Sequence, residues 1–403
     1  MTEPDFDAVV VGASVAGCTA ARLYAQRGAR VALVERRPDL DAYKTVCTHY
    51  IQPSATPTIE KLGLAALIEE HGAVRNSIDL WTPYGGWIRH RGDAPYGYNV
   101  TREVLDPLLR RMTAETPGVE LLSGHTATEL LGVGDGHGGP GVVVEDRHRA
   151  RRALRGRLVV AADGRDTHLA RMAGVKGRVR PHNRFFYWAY WRGVQPAGDR
   201  SRMWFMEPDC AYTFPNENGL CLILVAPHRD RLPEFREDLE GAYMSYIAAL
   251  PDAPDLSRAT RESKLLGKLD LPNVSRPAAR PGLAFVGDAA LASDPLWGVG
   301  CGWAFQSADW LVEETADALV GGGDLDAALD SYRKVHRRRL GPHHFLISDI
   351  ASARPANPVE RAMYRSAVSD DEVWRTFEGI GSRRRSPATL FAPGTLARMV
   401  RAG

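Results

Sequence analysis

Lysine is scarce in this chain, with six residues against forty-five arginines, and the formal net charge is only +2 at pH 7. That balance supplies no overall attraction for nucleic acid. The basic runs His336-Arg337-Arg338-Arg339 and Arg383-Arg384-Arg385 have no aromatic platform beside them and are expected to be solvated helix faces. Cysteine is also sparse: Cys18, Cys47, Cys210, Cys221 and Cys301 are odd in number and lack metal-ligand spacing. This points away from a disulfide framework and from a zinc site. No apolar run approaches the ~20 residues that cross a bilayer. No charged-then-apolar leader precedes the first strand, and no internal repeat is present. The expectation is a cytoplasmic chain with reduced thiols, no membrane span and no nucleic-acid partner. What remains is ordinary globular material, 403 residues with 44% hydrophobic and 25% charged content, enough for two cores.

The apolar run at residues 8–11 leads into Gly12, Ser14 and Gly17, and then into an alanine-rich segment. Residues 7–11 read as a buried parallel strand and residues 18–27 as the helix it feeds. In such a turn, here completed by Val15 and Ala16, backbone amides approach a phosphate and the helix N-terminus adds positive potential. Ser14 stands where the usual fingerprint has its middle glycine, leaving less clearance. Residues 30–35 read as the second strand. Its closing Glu35, next to Arg36, lies near the spacing from Gly12 at which an acid accepts hydrogen bonds from an adenosine ribose. The pattern predicts a dinucleotide site.

Two later motifs specify it. Asp163-Gly164-Arg165-Asp166-Thr167 follows an apolar strand at residues 157–162, and Gly287-Asp288-Ala289-Ala290 follows another at 283–286. The latter runs into Asp294-Pro295-Leu296-Trp297-Gly298-Val299-Gly300-Cys301-Gly302. Asp288 can accept from a sugar-like hydroxyl. Gly298, Gly300 and Gly302 precede a helix expected near residues 303–319, so free amides and a positive helix end converge. In this order the three motifs resemble the flavoprotein hydroxylase superfamily typified by para-hydroxybenzoate hydroxylase, whose neighbours include flavin-dependent halogenases and geranylgeranyl reductases. The resemblance covers residue 5 to about 320. It implies FAD as cofactor, Asp288 on the ribityl chain, and Pro295, the glycines and Cys301 around the flavin ring. It also implies that Asp163-Gly164 contacts both FAD and the pyrophosphate of transiently bound NAD(P)H, although Asp166 or Thr167 could equally cap a helix here. Arg102 matches an arginine that reaches toward the FAD pyrophosphate, a role suited to its planar fork. On an isolated amphipathic helix it would be a surface charge.

The expected fold is α/β: a Rossmann-like FAD-binding domain (1–80, 97–175 and 271–342) with an inserted mixed-sheet α+β substrate domain (81–96 and 176–270) and a helical C-terminal tail (343–403). Residues 119–131, 141–147 and 157–162 are expected to form a small antiparallel meander split by the turn-rich stretch 132–141. In the aromatic strand at 184–191, Phe186, Trp188 and Tyr190 share one face. With Trp204, Tyr212 and Phe214 they line a substrate cavity or fill a core. His49, Tyr50 and Trp297 are further candidates near the flavin. His49 is a candidate general base, since its ordinary pKa lies near neutrality, or else a hydrogen-bonded loop residue. Cys301 is expected to serve packing.

The resemblance implies a monooxygenase: NAD(P)H reduces FAD, and a flavin C4a-hydroperoxide delivers one oxygen atom from O2 to a bulky aromatic or polyene secondary metabolite. Such chemistry needs a water-excluding cavity. Leu291 stands where many hydroxylases carry histidine. Asp294-Pro295 is closer to halogenases and prenyl reductases, and Lys44-Thr-Val-Cys47 resembles a Lys-x-Cys stretch of the reductases. The Trp-x-Trp-x-Ile-Pro stretch of halogenases is missing. The alternatives are an FAD-dependent reductase of the geranylgeranyl reductase type and a two-component oxygenase or halogenase-like enzyme served by a separate flavin reductase; a homodimer is open.

Overall fold

A computed structural model of the chain describes residues 4–92, 94–133, 139–196 and 200–402. Ala8–Val11 is a fully buried strand that feeds the helix Val15–Gln26, and Val31–Glu35 lies parallel to it on one side. Leu158–Ala161 lies parallel on the other, with Val9 opposite Val159. Leu283–Phe285 extends the sheet beyond Leu158–Ala161. Continuous Val, Ala and Leu in these strands is what burial on both faces demands. Val119–Ser123 departs from expectation: it pairs in parallel with Val31–Glu35 and closes the edge of this sheet. The antiparallel meander is therefore built from Thr126–Leu131, Gly141–Glu145 and Arg151–Arg155. Part of the turn-rich stretch between its first two strands lies outside the described residues.

The second layer is an eight-stranded mixed sheet containing Phe186–Arg192, Ser201–Phe205, Cys210–Pro215, Leu220–Ala226 and Ile78–Thr82. Period-two alternation splits its aromatic residues between two cores. Phe186, Trp188, Phe205, Tyr212 and Phe214 face the main core toward the parallel sheet. Phe185, Trp191 and Trp204 face a separate core under the helix Leu239–Ala248. Phe186, Trp188 and Tyr190 do pack on one core, as expected, while Phe185 and Trp191 pack on the other. Trp204, however, lies on the far face, with its indole N–H donating to Pro251 O (2.8 Å). It is a core residue, not a cavity residue, because Met203 and Phe205 on either side of it take the face toward the main core and leave Trp204 the other.

The helix Gly300–Gly321 packs on Val15–Gln26, and Leu325–Ala351 follows. Leu325–Ala351 runs unbroken through Pro342, so the expected tail begins inside a helix. The tail itself folds as Pro358–Ala367, Asp371–Gly381 and Pro393–Ala402 against the mixed sheet and its neighbours. No helix among the described residues is long and apolar enough to cross a membrane.

Candidate active site

Gly12 adopts φ +106°, and a Cβ there would lie 2.5 Å from the Ala162 carbonyl oxygen. Gly17 is tighter still, its added Cβ falling 1.7 Å from Gly12 O. Only glycine lets the first strand, the turn and the helix meet this closely. Glu35 fastens the turn from the neighbouring strand: Ala13 N donates to Oε2 (2.9 Å) and Arg37 N to Oε1 (3.0 Å).

Between this turn and the mixed sheet lies a cavity of about 590 Å³. Gly12, Ser14, Val15, Ala16, Glu35, Arg36, Arg102, Asp163, Gly164, Asp288, Pro295, Gly298, Gly300 and Cys301, residues that sequence reasoning assigned to one cofactor, all meet in its wall. Gly17 packs beneath the turn, and Gly302 faces Ala55 and Gln52. At Gly300 and Gly164 an added Cβ would meet nothing within 4 Å. The wall also holds the aromatic and apolar side chains Tyr50, Phe186, Trp188, Leu224 and Leu271, beside charged residues that include Lys44, Asp106, Arg165 and Lys268.

Arg102 is buried, not a surface charge. It ion-pairs with Asp106 (2.6 Å) and donates to Ser14 Oγ (2.7 Å), which aims the guanidinium at the phosphate turn. Asp163 Oδ2 accepts from His168 N (2.7 Å) and Leu169 N, and Thr167 Oγ1 accepts from Ala170 N (3.1 Å). The capping role is thus real, while Asp163 Oδ1 remains buried and has no partner among the described residues. Such an orphan acceptor beside open glycines suits a hydrogen-bonding cofactor. Burial opposes the charge of Asp288, yet Lys44, 3.1 Å away, holds its carboxylate below the usual range.

Lys44 and Cys47, noted in the sequence only as a reductase-like stretch and given no role, also line the cavity. Lys44 forms the pair just described. Cys47 places its sulfur 3.7 Å from that of Cys301, and the Arg102 guanidinium stands 3.9 and 3.7 Å from the two sulfurs. The Cys301 hydrogen bond, with further help from His49 and Arg102, pulls the Cys47 thiol well below its ordinary value, and the same pairing pushes Cys301 up. The Lys-x-x-Cys segment was the only sequence signal.

His49 is placed elsewhere. Its backbone takes φ +63°, Arg102 N donates to Nδ1 (3.1 Å), and Nε2 faces the Tyr190 hydroxyl. Both ring nitrogens are engaged, and the ring is behind the cavity wall. Tyr212 donates to Leu296 O (2.9 Å) and stacks on Phe214, which stacks on Tyr50. Trp297 meets Phe205 edge-on. Of these five aromatic residues Tyr50 lines the cavity, and the other four lie outside its lining. Of the two basic runs, Arg337–Arg339 and Arg384–Arg385 are exposed, but His336 and Arg383 are buried.

The parallel sheet, the glycine turn and the cavity between it and the mixed sheet define an FAD-dependent oxidoreductase. Residues 5–341 match the FAD binding domain family, and the chain belongs to that family. It is 26% identical over 366 residues to the tryptophan 2-halogenase of Chondromyces crocatus, covering 82% of this chain and 64% of the halogenase, which is under two thirds of that relative's length. It is 23% identical over 359 residues to the digeranylgeranylglycerophospholipid reductase of Picrophilus torridus, covering 85% of each. With the kynurenine 3-monooxygenase of Salinispora arenicola it shares 25% identity over 395 residues, covering 91% and 83%. Among solved structures, the flavin-dependent brominase Bmp2 superposes with a TM-score of 0.78 at 16% identity, covering 99% of this chain and 100% of that one. A likeness at that identity speaks for the fold.

Proposed function

We propose that the chain is an FAD-dependent monooxygenase, reduced by NAD(P)H, that inserts one oxygen atom of dioxygen into a bulky aromatic or polyene metabolite. The observation that carries this reading is the one cavity that joins the phosphate turn to the aromatic and apolar side chains Tyr50, Phe186, Trp188 and Leu224. When bound, FAD supplies a two-electron centre that nicotinamide reduces and dioxygen reoxidises. In this reading Gly12, Ser14, Val15, Ala16 and the Arg102 guanidinium hold the pyrophosphate, Glu35 and Arg36 the adenosine ribose, and Asp288 and Asp163 the hydroxyl-rich linker. Gly298 and Gly300 let the helix Gly300–Gly321 bring its N-terminal amides close to the ring. Tyr50, Phe186, Trp188 and Leu224 exclude water and stack the substrate.

The cysteine pair in the wall favours a second reading, a reductase of carbon–carbon double bonds, because a thiol beside the ring is a proton source. One experiment separates the two. Holoprotein is incubated with NADH or NADPH, candidate aromatic and polyene compounds and isotope-labelled dioxygen, and products are weighed by mass spectrometry. Substrate-stimulated nicotinamide oxidation with one labelled oxygen in the product supports the monooxygenase. A product that gains two hydrogens and no label selects the reductase. FAD that stays oxidised until a separate flavin reductase is added identifies a two-component enzyme.

A further inference from the structure

Burial pushes three of the five thiols up, Cys18 and Cys221 to about 12 and Cys210 to about 11. Cys47 and Cys301 stand apart from them. Both line the cavity, and their sulfurs lie 3.7 Å from each other although 254 positions separate them in the chain. Three donors converge on the Cys47 sulfur: the His49 backbone N–H (3.3 Å), the Cys301 thiol and Arg102 Nη1 (3.9 Å). Lys44, also in the wall, adds a second cation beside the pair. Cys301 is the second residue of the helix Gly300–Gly321, so the Cys47 sulfur also meets the positive end of a helix. Donors, cations and a helix N-terminus favour thiolate over thiol, and Cys47 is pulled well below its ordinary value.

The two sulfurs are unequal. Cys47 is half-buried and Cys301 is 6% exposed. A thiolate open to a cavity, with a protonated thiol behind it, can reduce a peroxide bond: one sulfur takes the oxygen and the other resolves it. The sulfurs have to close from 3.7 Å to the ~2.0 Å of a disulfide, a movement on the scale of a side chain. In the proposed reaction, dioxygen that accepts two electrons without oxygen transfer leaves as hydrogen peroxide. Peroxide that arises inside the cavity needs no path from solvent to reach the pair.

We propose that Cys47 and Cys301 are a peroxide-reducing dithiol, a second activity of the cavity that takes hydrogen peroxide or a small organic hydroperoxide as substrate. The Cys47 thiolate attacks the terminal oxygen; the S–O bond forms as the O–O bond breaks, and the leaving hydroxide or alkoxide takes up the proton that Cys47 had released. The Cys301 thiol then attacks the Cys47 sulfenic acid, the S–S bond forms and water leaves. Two thiols lose two electrons and the peroxide gains them, and an external dithiol restores the pair by exchange. The inference draws on the proposed function only for the source of peroxide, since neither FAD nor the aromatic substrate takes part in the thiol steps.

The test uses the full chain as apoprotein, so that no flavin exchanges electrons with the thiols, and follows hydrogen peroxide colorimetrically with peptide mass mapping of the cysteines. With dithiothreitol the wild type consumes many equivalents of peroxide above the rate of dithiothreitol alone. Without it consumption stops after a single equivalent and leaves a Cys47–Cys301 disulfide. The rate follows an ionisation below the ~8.5 of an ordinary thiol. Cys47→Ser abolishes consumption. Cys301→Ser keeps a hydrogen-bond donor beside Cys47 but cannot resolve it, so without dithiothreitol dimedone traps Cys47 as the sulfenic acid. Cys221→Ser keeps the wild-type rate. Wild-type consumption in Cys47→Ser, a disulfide between any other pair, or oxidation of Cys47 no faster than that of Cys221 would overturn the proposal. Failure of oxygen insertion would sink the monooxygenase reading and leave the thiol result standing.

Discussion

Gly12 and Gly300 both line the cavity, but the structure gives them opposite reasons to be glycine. Alanine at position 12 would sit 2.5 Å from the Ala162 carbonyl, between two parallel strands that cannot part, on a backbone at φ +106°. The left-handed backbone costs an L-residue roughly 1–2 kcal/mol. Forcing a methyl into packed backbone adds about 1–3 kcal/mol. Gly12→Ala is thus expected to lose about 2–5 kcal/mol, a large part of the ~5–15 kcal/mol that holds a typical domain together. Alanine at position 300 meets nothing within 4 Å and has no positive φ. It begins a helix, where replacing glycine gains up to about 1 kcal/mol. Apo Gly300→Ala should therefore be as stable as the wild type or slightly more so. With FAD the order reverses, because the new methyl intrudes where the ring would lie, at a cost of about 1–3 kcal/mol, or roughly five- to 150-fold in Kd. Urea unfolding of the apoproteins and fluorescence titration with FAD measure the two quantities. If Gly300→Ala binds FAD with wild-type affinity, or destabilises the apoprotein as much as Gly12→Ala, the assignment of the cavity to FAD is wrong.

Iodoacetamide at neutral pH should label Cys47 ahead of the other four thiols. Cys301→Ala should slow that labelling by removing the hydrogen bond that favours the thiolate, and bound FAD should block it; peptide mass mapping reads all three. Asp294 is fully buried, and burial pushes its carboxyl up to about 6 from an ordinary 3.8. The folded state thus holds this proton more tightly than the unfolded one, so its ionisation costs nothing below about pH 4 and reaches its full cost above about pH 6. Asp294→Asn, which keeps an oxygen for Leu296 N, should stabilise the apoprotein at pH 7 by at most about 3 kcal/mol, and the gain should vanish near pH 4 in urea titrations. Trp204→Ala should lose about 3–5 kcal/mol of stability without changing the KM for substrate, whereas Trp188→Leu should change KM; steady-state kinetics beside unfolding curves distinguish the two faces of the sheet.

The cofactor site was legible because its determinants are contiguous. A strand, a glycine turn and a helix start within twenty residues dictate where amides point, and the same grammar recurs at Asp163-Gly164 and at Gly287-Asp288. Arg102 was legible only through its family pattern, since nothing local distinguishes it from a surface arginine. The strand at 186–192 announced which side chains share a face, because alternation is a property of the backbone. It could not announce which face meets which core, and Trp204 shows the difference: neighbouring strands set the phase. Val119–Ser123 likewise reads as a plain short strand, and its place at the edge of the parallel sheet depends on where Val31–Glu35 leaves an open side.

By itself, the order of residues determined a Rossmann-type cradle and three motifs that converge on one cavity, since each motif carries its geometry within a few bonds. Only the tertiary structure decided what lies opposite them. Lys44 meets Asp288 across 244 positions and Cys47 meets Cys301 across 254. Arg383, written among arginines that look like a solvated patch, is carried by the C-terminal helices onto Trp297. Such pairings depend on how whole layers pack, and no local pattern of residues encodes the partner a buried charge will meet.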